Sequence, residues 1–105
     1  MKLSIKQQVA GYKSELRIKS KDGNTVKHFN STSGVDFAQA DQNCYKRAEY
    51  WLNRAILFLK KEKHYLGEYE QRIIKESKIT LKEAQELQNK LSEMIIRPNI
   101  KELDI

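Results

Sequence analysis

Four residues at helical spacing combine positive charge with an aromatic ring: Arg47, Tyr50, Arg54 and Lys61. Steps of three, four and seven residues place such side chains on one side of a helix. Guanidinium groups bind phosphates and a tyrosine ring stacks on an unpaired base, which is the combination that single-strand binders use. The same spacing also fits a solvated face opposite a core stripe, so both interpretations stay open.

A second group of cations surrounds a predicted turn near the start of the chain. It consists of Arg17, Lys19, Lys21 and Lys27. A two-stranded ribbon that carries cations can lie in a nucleic-acid groove or along a phosphate backbone. Lysine on short edge strands also prevents sheets from aggregating, and this alternative stays open.

The excess of positive charge is concentrated in the first third of the chain. The net charge is +6, and residues 1–34 hold seven Lys or Arg against two acids, whereas residues 67–105 hold seven against eight. A directional positive field attracts polyanions, although it says nothing about the fold. Together with the two cation groups, this charge predicts a small basic binding protein that contacts nucleic acid or a ribonucleoprotein complex.

No residue pattern predicts catalysis, a metal site, a cofactor or a small-molecule substrate. His28 and His64 lie far apart, and neither has another His or Cys at ligand spacing. The four glycines are scattered singly rather than grouped in a phosphate-binding loop. We therefore expect a protein that is not an enzyme and that has no cofactor or metal.

The single cysteine, Cys44, excludes an intramolecular disulfide and suits a reducing compartment, which favours a cytoplasmic location. We expect its side chain to be buried as a small hydrophobe. The longest apolar runs, residues 55–59 and 94–96, are far shorter than the roughly 20 residues of a membrane span, so no membrane partner is expected. A length of 105 residues predicts one domain, residues 1–105, with one core.

Two alternating segments, residues 16–19 and 25–29, flank the turn sequence Lys21-Asp22-Gly23-Asn24 and predict a β-hairpin within residues 1–30. Two strand registers are compatible with this turn sequence. A two-residue loop pairs Ile18 with Lys27 and Leu16 with Phe29. A three-residue loop gives a cleaner apolar face, made of Leu16, Ile18, Val26 and His28.

A third strand is predicted upstream, because Leu3, Ile5 and Val9 lie two or four residues apart before Gly11. Three strands with one half-buried face are near the minimum for stability and need a helix packed against them.

A long helix is predicted from Val35, because Ser33-Gly34-Val35-Asp36 matches a capping box. An apolar, aromatic stripe broken by Asp41 continues to Leu66. Gly67 either ends this helix or lies inside a helix that spans residues 35–78. From Val35 to Leu66 alone the helix would be roughly 48 Å long, at 1.5 Å per residue.

A second helix, residues 80–96, is predicted to pair antiparallel with the first. Thr80-Leu81-Lys82-Glu83 matches a capping box, and Pro98 would stop the helix. The tail, residues 97–105, is expected to fray. The predicted fold class is therefore α+β, with an N-terminal hairpin or three-stranded antiparallel sheet packed on a long helix and an antiparallel second helix.

The apolar stripe supports an alternative function. It exceeds what one small sheet can cover, which would leave surface for a homodimer or a larger partner. The chain would then be a protein-interaction module, an inhibitor or adaptor that uses the helical hairpin. Its candidate interaction residues are Trp51, Phe58, Leu59 and Leu66.

Overall fold

The computed structural model describes residues 2–8 and 12–96 and has the α+β fold predicted from the sequence. Three strands form an antiparallel sheet in chain order: β1 (Lys2–Gln8), β2 (Lys13–Lys19) and β3 (Thr25–Thr32). Three helices follow: α1 (Phe37–Leu59), α2 (Glu68–Ser77) and α3 (Leu81–Ile96). The predicted third strand is therefore confirmed as β1. The parts of that prediction that concern Val9 and Gly11, and the predicted tail 97–105, lie outside the described residues.

The β2–β3 turn closes with a glycine in the left-handed region. Gly23 has φ +85° and its N–H donates to the Ser20 carbonyl at 3.0 Å, while the Ser20 N–H donates to the Asn24 carbonyl at 2.9 Å. This is the geometry of a turn closed by a glycine bulge, which places three residues in the loop. The strands therefore leave the turn in the second of the two predicted registers.

A β-bulge then changes that register by one residue. Lys19 pairs with Thr25 but Ile18 pairs with Lys27, so Val26 is the extra residue of β3. Beyond the bulge Leu16 pairs with Phe29, as in the first predicted register. Side chains three apart cannot share one face of a regular strand, since the period is two. The bulge is what allows both Val26 and Phe29 to be buried.

Helix α1 covers the inner face of the sheet, and it begins two residues later than predicted. Asp36 is its N-cap and accepts a hydrogen bond from the Gln39 N–H at 2.8 Å. Ser33 instead accepts a bond from the Val35 N–H at 3.0 Å, so the predicted capping box is not the one used. The sequence correctly predicted a side-chain cap at the start of this helix, although the capping residue is Asp36 and not Ser33. Acidic and hydroxyl side chains both accept hydrogen bonds from the free N–H groups of the first turn.

The predicted continuous helix to residue 78 is wrong, whereas the predicted break near Gly67 is confirmed: α1 already ends at Leu59, and Gly67 is the N-cap of α2. The predicted helix to Leu66, roughly 48 Å long, would exceed the 39 Å longest extent of the folded chain. The chain turns instead at Lys61, which has φ +60°. This turn lets Leu66 and Ile74 enter the core, 6% and 1% exposed. Burial of these two side chains outweighs the helix propensity of residues 60–66.

Helix α3 runs antiparallel to α1, as predicted for the second helix. Gln42 bonds the Met94 carbonyl, Glu49 bonds Ser92 and Asn53 bonds Gln88, so positions rise along α1 as they fall along α3. The predicted capping box is also confirmed: the Glu83 N–H donates to Thr80 Oγ1 at 3.1 Å, and the Thr80 N–H donates to Glu83 Oε1 at 3.2 Å. The predicted helical hairpin thus contains an additional short helix, α2. The stop signal at Pro98 lies outside the described residues.

Candidate nucleic-acid interface

A cavity of about 460 Å³ lies between β3, α1 and α2, and we call it the β3–α1–α2 cavity. Its lining combines cations with aromatic rings. The cationic side chains are Lys27, Lys46, Arg47 and Arg54, and the rings are those of Phe29, Tyr50 and Trp51. His28 and Glu70 complete the lining. The cavity therefore brings together members of both predicted cation groups.

Tyr50 and Arg54, one helical turn apart on α1, are in direct contact. The guanidinium carbon of Arg54 lies 4.2 Å from the centroid of the Tyr50 ring, a cation–π distance. Tyr50 is 61% exposed although it is a large aromatic residue. The half-buried guanidinium lies over the ring, and most of the Tyr50 side chain remains accessible to solvent.

Arg47 fixes α1 against the edge of the sheet. Its Nη1 donates to the Asn30 carbonyl at 2.6 Å. The Ser33 N–H donates to the Tyr12 carbonyl at 3.2 Å, so Ser33 directs its backbone groups towards β2. Because the direction alternates along an antiparallel strand, the Asn30 carbonyl points away from β2. β3 is one of the two edge strands of the described sheet. Arg47 therefore occupies a backbone acceptor that an additional strand could otherwise bind.

Glu70, in the first turn of α2, links the three elements of the cavity. Its carboxylate accepts from Lys27 Nζ at 2.9 Å and from Trp51 Nε1 at 3.2 Å. Sequence reasoning missed this residue, because the acids of the last third alternate with Lys and Arg as they do on an ordinary exposed helix. Only the break between α1 and α2 brings Glu70 back to the basic region. Gly67 indicates where this break ends, but no residue of 60–66 predicts that α1 stops at Leu59.

The other predicted cations lie elsewhere. Arg17 and Lys19 line a shallow depression on the sheet face opposite α1, where Glu15 bonds Arg17 and lies 3.4 Å from His28 Nε2. Lys21 is exposed in the β2–β3 turn. Lys61 follows the end of α1 and therefore does not share a helix face with Arg54, contrary to the predicted spacing.

The four predicted interaction residues do not form an exposed surface, so this prediction is wrong. Trp51 is 3% and Leu66 6% exposed, and both belong to the core. Phe58 and Leu59 are partly buried and pack against the same core. The physical reason is that α2 folds back and α3 lies along α1, so the stripe is covered within the chain itself.

Cys44 is fully buried, as predicted for a small hydrophobe. Burial raises the pKa of its thiol to about 11, and the nearby Asp41 carboxylate adds to this effect. Burial likewise raises the pKa of Tyr45 to about 12, again with a contribution from Asp41. Neither group is poised to ionise near neutral pH.

Within residues 2–8 and 12–96, no group of three His, Cys, Asp or Glu side chains is placed to hold a metal ion. In the same part of the chain, no helix has the length and apolar character needed to cross a membrane. Comparison with models of known families, with curated proteins and with solved structures gives no match for this chain.

Proposed function

We propose that this chain is a small non-enzymatic protein that binds nucleic acid, alone or within a ribonucleoprotein complex, at the β3–α1–α2 cavity. The observation that carries the proposal is the exposed Tyr50 ring under the Arg54 guanidinium, with Lys46 and Arg47 in the same lining. An accessible ring among cations suits a ligand that combines bases with phosphates. A cytoplasmic location belongs to the proposal, since the lone buried thiol of Cys44 suits a reducing compartment.

The charge of the cavity supports an anionic ligand. Glu70 is the one carboxylate in its described lining, and it is already held by Lys27 and Trp51. The positive charges of Lys46 and Arg54 are accordingly not compensated by a direct ion pair within residues 2–8 and 12–96. Phosphates that pair with such cations release condensed counterions, so affinity should fall steeply with salt.

The test is fluorescence anisotropy of labelled single- and double-stranded DNA and RNA at low and moderate salt. We expect tight binding at low salt that weakens steeply as salt rises. Lys46→Gln should lower the salt slope by about one, the loss of one phosphate contact. Lys82→Gln is the matched control, because Lys82 is an exposed lysine on α3, which does not line the cavity. Absence of binding at low salt, or binding that salt does not change, contradicts the proposal.

A second candidate function is a protein-interaction module, including an inhibitor, an adaptor or a homodimer. Its surface would be a groove of about 620 Å³ between the β2–β3 turn and α2, rather than the covered apolar stripe. Tyr69, 68% exposed, lines this groove together with the acids Asp22 and Glu76. A dimer mass in sedimentation, measured without nucleic acid, would favour this function.

A further inference from the structure

Tyr50 provides the accessible aromatic surface of the β3–α1–α2 cavity. Of the three rings in its described lining, Trp51 and Phe29 are 3% and 6% exposed and meet edge to face with centroids 6.3 Å apart. Both rings belong to the hydrophobic core. A ligand that enters the cavity therefore meets the exposed ring of Tyr50.

Arg54 lies over this ring and adds a second planar group to it. Its Nε is buried and has no hydrogen-bond partner among residues 2–8 and 12–96, so in this part of the chain the guanidinium is positioned by the Tyr50 ring, 4.2 Å from its carbon. A guanidinium is planar and stacks on a base much as an aromatic ring does. The Tyr50–Arg54 pair thus suits a flat, neutral ring that is covalently attached to an anion.

Donors for that anion stand one helical turn earlier on α1. Arg47 uses Nη1 on the Asn30 carbonyl, and since a guanidinium has five N–H donors, others remain for a phosphate oxygen. Lys46 is exposed beside it and adds a compact positive charge. The base and the phosphates of one nucleotide can consequently contact different groups within about two turns of α1.

The shape of the site decides between a single strand and a duplex. α1 is joined to β3 through Arg47 and to α2 through the Trp51–Glu70 hydrogen bond. α1 therefore has a neighbouring element on each side, whereas a helix that enters a major groove projects from the protein surface. A volume of about 460 Å³ lies in the range of small-ligand sites. A duplex would have to unpair and unstack a base to fill it, which a single strand does not.

We propose that the β3–α1–α2 cavity holds one unpaired nucleotide of a single-stranded nucleic acid, with its base on the Tyr50–Arg54 pair and its phosphates bound by Lys46 and Arg47. This inference rests on the proposed function, because it specifies the form of nucleic acid that the same site binds. Duplex nucleic acid is then the weaker ligand.

The test compares a single-stranded oligonucleotide with a blunt-ended duplex of the same sequence, using the full chain at one salt concentration. Tyr50→Ala should weaken single-strand binding roughly 5- to 150-fold, the loss of one stacked base, and should weaken duplex binding less, because a paired base does not stack on the ring. Tyr50→Phe keeps the ring and should bind like the wild type. Tyr65→Ala is the matched control: Tyr65 is 73% exposed and lies 5.9 Å from Lys63 Nζ, but it does not line the cavity.

A second readout reports stacking directly. A single strand that contains 2-aminopurine should lose fluorescence on binding to the wild type and to Tyr50→Phe, but not on binding to Tyr50→Ala. Since Tyr50 is exposed, all variants should unfold at the temperature of the wild type. Equal binding of the duplex, no loss in Tyr50→Ala, or equal losses in Tyr50→Ala and Tyr65→Ala overturns the inference and leaves the proposed function in place. Failure of both ligands to bind overturns the inference and the proposed function together.

Discussion

At the scale of single residues, the buried pair of Ser14 and Asp41 fixes the sheet on α1. Ser14 and Asp41 are each 2% exposed, and Ser14 Oγ donates to Asp41 Oδ1 at 2.5 Å. The apolar stripe of α1 is interrupted at this point because a polar group of β2 faces it. A buried carboxylate that loses a partner costs far more than an exposed one, so this contact favours one placement of the sheet over others.

We expect Ser14→Ala to lower the free energy of unfolding by about 1–3 kcal/mol, since a buried acceptor loses a hydrogen bond. Urea denaturation measures the change. Ser31→Ala is the control, because Ser31 lies directly opposite Ser14 on β3 but is only half-buried and outside the pair with Asp41. Equal losses in the two variants would show that the Asp41 contact does not stabilise the fold.

Cys44 should be inert in the folded protein. Its thiol is buried and its pKa is raised to about 11, so the reactive thiolate is scarce at pH 8. A thiol reagent should label it slowly in buffer and rapidly in denaturant. Fast, complete labelling of the native chain would mean that α1 opens away from the sheet.

At the scale of elements, the segment between α1 and α2 offers a site for stabilisation. Gly67 is the N-cap of α2 with φ −71° and has no side-chain cap, and a Cβ added there would meet open space within 4 Å. Gly67→Ser should raise the free energy of unfolding by about 0.5–1 kcal/mol, because it adds a cap and restricts the unfolded chain. Thermal and urea unfolding measure this gain.

Gly23→Ala is the matched comparison for this prediction. Gly23 has equally open space around it but φ +85°, where an L side chain is strained. This variant should therefore be less stable than the wild type by about 1 kcal/mol. If both variants change stability in the same direction, backbone conformation does not distinguish the two glycines.

The start of α3 should give a measurable pH dependence. Hydrogen bonds from the Thr80 N–H and hydroxyl to the Glu83 carboxylate lower the pKa of Glu83. A lowered folded-state pKa contributes stability above the unfolded value of about 4.3, and this contribution is lost as pH falls through the folded value.

Glu83→Gln should therefore be less stable than the wild type at pH 7, by about 0.3–1 kcal/mol at low ionic strength. The amide still accepts the Thr80 bonds, so the difference should vanish in acid, once Glu83 is protonated. Glu86→Gln, an exposed change one turn further along α3, is the control and should show no such difference. If Glu83→Gln is less stable than the wild type by the same amount at every pH, the charge of Glu83 does not contribute to stability.

At the scale of the whole molecule, local signals predicted the sheet, the start of α1 to within two residues, and α3. They failed where the outcome depends on distant partners. Residues 60–66 have no breaker and favour a helix, yet the chain turns there so that Leu66 and Ile74 can be buried. The bulge at Val26 likewise follows from the needs of the core rather than from the turn sequence.

The sequence predicted only part of the candidate site, because helical spacing is a local signal and the remaining contacts are long-range. Arg47, Tyr50 and Arg54 share one face of α1, and helical periodicity identifies such a face. Lys27 joins them through the bulged strand, and Glu70 joins them through the turn before α2. Both contacts join residues that are far apart in the sequence, so residue spacing could not predict them.

The hydrogen bond between Trp51 and Glu70 also supplies an intrinsic optical probe. Trp51 is the only tryptophan of the chain, is 3% exposed and lines the β3–α1–α2 cavity. Its emission should be blue-shifted in the native state and shift to the red on unfolding. Because α1 and α2 meet at its indole N–H, titration with an unlabelled ligand should change the emission whenever the two helices move relative to each other. Phe29→Leu, next to the indole, should alter this spectrum, whereas Tyr65→Ala should not.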